Sequence, residues 1–87
     1  MKIKSDYKLR TIAGEHIVVP TGKEAVNFNG IITLNNSGKH LFETLQLGAT
    51  KETLIEKLMD VYEVDQATAQ KDVEAFIKIL ESKNLLD

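Results

Sequence analysis

His16 and His40 are the only imidazoles in an 87-residue chain that contains no cysteine. A metal centre needs clustered ligands, as in His-x-x-x-His or His-Glu-x-x-His helices. The two histidines fall in different segments and neither opens such a pattern, so they are expected to be partly exposed side chains rather than ligands. Asp60, Glu63 and Asp65 resemble a fragment of a calcium loop, yet the required glycine and closing glutamate are missing. They read better as a solvated helix end followed by a helix cap. Thr21-Gly22-Lys23 holds one glycine without phosphate-loop spacing and is expected to be a turn. The serines, Ser5, Ser37 and Ser82, have no histidine base in their local motif, which argues against nucleophilic catalysis. None stands in the Asp-Ser-Leu context of a phosphopantetheine carrier. No catalytic residue, metal site or cofactor is expected, and the chain is not expected to be an enzyme.

Composition agrees with a binding module. A chain this short is expected to form one domain, 1–87, with one core. At 43% hydrophobic and 28% charged residues it is neither disordered nor membrane-embedded. No apolar run approaches the ~18 residues of a membrane span, and the Met1–Asp6 stretch lacks the apolar core of a secretory signal. A cytoplasmic protein without a membrane partner is expected. Net charge is −2, which supplies no electrostatic reason to bind nucleic acid. Charge is uneven: Lys2, Lys4, Lys8 and Arg10 face only Asp6 in the first ten residues, and acids dominate from Thr50 onward.

The elements that must position any site change character near residue 36. Before it the pattern is β-branched with period two. Tyr7, Leu9 and, less cleanly, Ile12 alternate with Lys8, Arg10 and Thr11; Ala13-Gly14-Glu15 is turn-like, and His16–Val19 is an apolar run ended by Pro20. Ile31–Leu34 follows Asn29-Gly30. This spacing predicts an antiparallel meander over about 7–13, 15–20 and 30–35. A competing arrangement pairs Val26–Phe28 with Ile31–Thr33 across a tight Asn29-Gly30 turn, and the sequence does not choose between them.

After Asn35 the period becomes 3.6. Asn36 or Ser37 is expected to cap a first helix containing Leu41, Phe42 and Leu45, stopped by Gly48. Thr50 caps a second, whose Leu54, Ile55, Leu58, Met59 and Tyr62 form one apolar stripe. Asp65 caps a third, with Ala69, Val73, Phe76, Ile77 and Leu80 inward, and Leu85-Leu86 packs back on the core. The expected fold is α+β: a three-stranded antiparallel sheet followed by three helices on one side. That outline suits a winged helix-turn-helix. Its third helix, however, carries Lys71, Lys78 and Lys83 against Asp65, Asp72, Glu74 and Glu81. Such a helix is repelled by phosphate within the ~8 Å reach of charge at physiological salt.

A second stripe on the third helix, Asp72, Phe76, Ile79 and Lys83, is displaced from the core stripe, with Ala75 beyond it. If Ile31–Leu34 is an open edge beside this helix, the two form a groove suited to β-strand addition. On periodicity alone the plainer alternative leads: Ile79 completes the core and the chain terminus covers the edge.

These residues also carry a family resemblance. The chain resembles the pyrroloquinoline-quinone biosynthesis protein D (PqqD-like) family, the leader-recognition elements of ribosomally made, modified peptides. The matching residues are Val18-Val19-Pro20, Ile32-Thr33-Leu34-Asn35 with Ser37-Gly38, and Leu41–Leu45; after Gly48 come Thr50–Leu54 and Tyr62–Asp65; Asp72–Ile77, Leu80 and Leu85-Leu86 complete the series. The resemblance covers roughly residues 7–87. It implies a small winged helix-turn-helix that binds the leader of a precursor peptide as an added strand between the third strand and third helix. It further implies presentation of that peptide to a modifying enzyme, often a radical S-adenosylmethionine enzyme. The implied peptide-binding residues are Ile31, Ile32, Thr33, Leu34 and Asn35 on the strand side. Those facing them are Asp72, Ala75, Phe76, Ile79 and Lys83. The resemblance turns the balance toward the groove. Phe42 stands where many relatives carry tryptophan, a packing change expected to be tolerated. Nothing before Asp87 marks a fused enzyme, so the catalyst is expected to be a separate chain. The protein is expected as a monomer or homodimer. Two alternatives stay open: an orphan winged-helix interaction or dimerisation module, and, less favoured by charge, a DNA-binding transcription factor.

Overall fold

The computed structural model describes residues 1–22 and 32–87. Three strands, β1 (Tyr7–Ile12), β2 (Glu15–Pro20) and β3 (Ile32–Leu34), precede three helices. These are α1 (Asn36–Gln46), α2 (Lys51–Val61) and α3 (Gln66–Ser82). The expected α+β order is the observed one. Strand order is β1-β2-β3, antiparallel throughout. The competing Val26–Phe28 hairpin lies outside the described residues, as do positions 30 and 31 of the expected third strand.

Local chemistry sets the first hairpin. Ile12 pairs with Glu15, leaving a two-residue loop in which Ala13 (φ 53°) and Gly14 (φ 82°) are both left-handed. Positive φ at both loop positions is the demand of a type I′ turn, whose twist matches that of the flanking strands. It ends β1 at Ile12, one residue earlier than the alternation suggests. The register Leu9↔Val18↔Ile32 aligns one face of the sheet, on which Tyr7, Val18, Ile32 and Leu34 are buried. Ile12 departs from the expected alternation: its even position turns it to the other face with Lys8 and Arg10, and it is 57% exposed.

The β3–α1 corner corrects the expected cap. Asn35, not Asn36 or Ser37, is the N-cap, with extended backbone and a side-chain oxygen accepting the Gly38 N–H at 2.8 Å. The cap therefore ends β3 at Leu34. Gly38 packs closely here: a Cβ would lie 3.3 Å from Asn35 Oδ1 and 3.4 Å from Leu34 Cβ, so its neighbours would have to give by a few tenths of an ångström. Thr50 and Asp65 cap α2 and α3 as expected. In α2 the apolar stripe is narrower than its sequence suggests: Leu54 and Leu58 are buried, Ile55 and Tyr62 are partly buried, and Met59 is exposed.

Phe42, Leu45, Leu54, Leu80, Leu85, Val18 and Val73 are fully buried and join the sheet to all three helices. The terminal segments form a separate lock. Lys4 N–H donates to Leu85 O at 2.9 Å, and Asp87 N–H to Lys2 O at 2.9 Å. Ile3 N–H reaches Leu45 O at 3.0 Å, and Ala49 N–H reaches Met1 O at 2.8 Å. Leu85 thus packs on the core as expected, while residues 85–87 pair with residues 2–4 instead of covering β3. Among the described residues no helix is long and apolar enough to cross a membrane.

Candidate functional site

β3 is the edge strand. Its one strand partner among the described residues is β2, so one side of its backbone has no ladder there. A strand bonded on one side presents N–H and C=O groups to any extended chain that approaches. Ile32 and Leu34 point into the core and Thr33 points out. Of the strand-side residues singled out above, Ile31 lies outside the described residues. Asn35 lies just beyond the strand, spent as the α1 cap.

On α3, Asp72, Ala75, Ile79 and Lys83 are exposed, Ile79 by 48%. At about 100° per residue, positions 72, 75 and 79 share a face with 83 one turn on. Phe76 is separated from them: it is 9% exposed and belongs to the core cluster. The structure brings Asn35 and Asp72 together, since both line one cavity of ≈ 370 Å³ at the end of β3. Leu58, Tyr62 and Val64 supply its apolar surface, and Asn36 and Ser37 complete its polar rim. The cavity reaches this face of α3 through Asp72, and Ala75 and Ile79 are not among its lining residues.

Polar groups around this cavity are largely committed. His16 Nε2–H donates to Asn36 Oδ1 at 2.9 Å, and its Nδ1 lies 2.8 Å from the Thr11 hydroxyl, so the ring ties β1, β2 and α1 together. This use of both ring nitrogens fits a positioning histidine. Asn35 Oδ1 accepts from Ser37 O–H at 2.9 Å as well as from Gly38. His40 meets the Tyr62 ring edge-on at 6.2 Å and 68°, fixing one wall. Hydrogen bonds from Thr68, side chain and then backbone, hold the Asp65 carboxyl below the usual carboxylate range. On the far side of α3, Lys51 pairs with Glu74 and holds its carboxyl below the usual range, chiefly through the hydrogen bond.

Tyr62, Val64 and the Asn36–Ser37 turn are cavity residues that pattern reasoning did not single out for a site. Tyr62, Val64 and Ser37 enter the family resemblance without a binding role, and Asn36 and Ser37 read as helix caps. Their convergence needs the ends of β3, α2 and α3 to meet, which no local spacing encodes.

The sequence model described as coenzyme PQQ synthesis protein D (PqqD) matches residues 15–86. No curated protein sequence matches the chain. Two solved structures share its fold. One, of TbiB1 in complex with the TbiA(beta) leader peptide, has TM-score 0.79 and 23% identity, over 100% of this chain and 95% of that one. The other is a lasso peptide synthetase B1 complexed with the leader peptide, with TM-score 0.75 and 15% identity, over 97% of this chain and 93% of that one.

Proposed function

Because the chain belongs to the coenzyme PQQ synthesis protein D (PqqD) family, we propose that it is a non-catalytic recognition domain, acting over 1–87, for the leader segment of a ribosomally made precursor peptide. The leader adds as a strand along β3 and lies against the exposed face of α3. Main-chain bonds to the strand supply affinity, and side-chain contacts supply selectivity. The observation that carries this reading is the edge position of β3, open on its outer side among the described residues. Support also comes from the two solved folds of the same shape, each bound to a leader peptide.

Ile32, Thr33 and Leu34, with Asn35 after them, form the strand side of the groove. Ala75 and Ile79 provide apolar contact, Asp72 and Lys83 flank them with opposite charge, and Phe76 supports the floor from within the core. The domain works by effective concentration. A leader held in the groove keeps the attached core peptide near a separate modifying enzyme at local concentrations of order mM for a short linker. No residue of the domain has to react.

The test uses leader peptides from short reading frames that neighbour the gene, titrated by fluorescence anisotropy. Ile79→Glu is expected to leave the domain folded, because the side chain is half exposed, and to weaken binding at least tenfold, about 1.4 kcal/mol. Ile32 is buried, so a proline there would break the fold, and the strand-addition test belongs on the peptide. Backbone N-methylation of the leader should abolish binding at alternate positions and be tolerated between them. Uniform tolerance, or unchanged binding by the Ile79 variant, would remove the β3–α3 groove from consideration. Self-association through the same edge would show instead as a concentration-dependent mass in light scattering.

A further inference from the structure

Resting on β3 as the docking edge, we propose that the cavity at its end is a specificity pocket for one lysine or arginine side chain of the bound peptide. A strand lying along Ile32–Leu34 runs past Asn35, which lines the ≈ 370 Å³ cavity together with Asp72. The depression is shallow and open to solvent, so a long side chain lies along it with its end in water. Its apolar surface comes from buried Leu58 and half-buried Tyr62 and Val64. The aliphatic stem of a basic residue covers such a surface while its charged head stays at the rim.

The rim decides which head fits. Asn35 Oδ1 already accepts from Gly38 and Ser37, and Asn36 Oδ1 from His16. The fully charged acceptor at the rim is Asp72, an exposed carboxylate. Glu63 and Asp65 flank Val64 in the chain and add negative field. The positive end of α1 opposes a cation here, but it is worth only about half a charge, and the Asn35 side chain already satisfies one of its N–H groups. Lys71 is adjacent in sequence to Asp72 but lies about 100° around the helix. The full carboxylate charge therefore prevails. Tyr62, held edge-on by His40, adds a ring face to which a cation is attracted. An apolar occupant would fill the floor but leave the Asp72 carboxylate at the rim without a counter-charge. An acidic occupant would meet a like charge.

The experiment displays a random peptide library against the full chain and against Asp72→Asn and Asp72→Lys, both exposed substitutions expected to fold normally. Selected binders should carry Lys or Arg at one fixed position relative to their strand core. That enrichment should vanish with Asp72→Asn and turn to Asp or Glu with Asp72→Lys. For a selected synthetic peptide, replacing the basic residue by Met should weaken binding to the unaltered chain roughly three- to fivefold, the upper part of the range for an exposed ion pair. The same replacement should weaken binding to Asp72→Asn less than twofold. Binders without a basic position, or a Met replacement equally costly in both proteins, would overturn the pocket while leaving strand capture standing. Failure to select any binder that competes at the β3 edge would overturn both.

Discussion

The molecule has two places where extended backbone reaches the surface, and they are finished differently. At the terminal lock, residues 2–4 and 85–87 bond to each other, and Ile3 and Met1 bond onward to Leu45 and Ala49. At β3, the ladder stops after one partner among the described residues. The first arrangement satisfies its polar groups internally and buries Ile3 and Leu85 beneath them. The second leaves one side of the β3 backbone without a ladder partner among the described residues. An unpaired edge invites uncontrolled pairing. Here it is three residues long and closed off at Asn35 by a helix cap, which limits what can add to it. The lock is therefore expected to carry stability and the edge to carry recognition.

Substitutions can break that division or sharpen it. The largest effect is expected for Leu85→Ala, in the lock, where a fully buried side chain is lost. It should cost about 2–5 kcal/mol in urea denaturation, with leader affinity of the folded fraction unchanged. A parallel loss of affinity would show that lock and edge are coupled. Asn35→Ala acts where the edge ends. Loss of the Gly38 cap bond should cost about 1 kcal/mol, and because Asn35 also lines the cavity, affinity should fall with it. Ala13→Asn belongs to neither region. Its left-handed backbone suits asparagine better than alanine, so the melting temperature should rise by an amount equivalent to at most about 1 kcal/mol, with binding untouched.

The smallest effect concerns acid. Lys51 lowers the Glu74 carboxyl in the folded protein, so its contribution is present above the ordinary carboxylate range and is lost as pH falls through the lowered folded value. Glu74→Gln should slightly flatten the acid limb of a stability–pH profile. Both side chains of that pair are more than a third exposed, and water screens most of their attraction.

Much of this architecture is legible in the sequence. The helices were readable because Thr50 and Asp65 bond N–H groups three residues on, a relation contained in a few consecutive residues. The Val73–Leu80 stripe was readable because helical period alone puts those positions on one face. At the start of α1 the sequence offers Asn36 or Ser37 as the cap and the structure uses Asn35, a choice that depends on where β3 must stop. Ile12 and Met59 fit an apolar period in sequence, yet both are exposed. Within the candidate site, Ile79 and the β3 segment could be read from pattern and resemblance. Tyr62, Val64 and the Asn36–Ser37 turn could not.

By itself the sequence determined the order of elements, two of the three caps, most of the core and the absence of cysteine chemistry. Each of these follows from local hydrogen bonding, from a period of two or 3.6, or from residue type. Tertiary structure alone decided that residues 85–87 would pair with residues 2–4 and leave the β3 edge open among the described residues. It also decided that Asp72 would meet Asn35 around one cavity. Both outcomes depend on contacts between segments distant in the chain. Such contacts form where packing of the shared core brings those segments together, and local spacing carries no record of them.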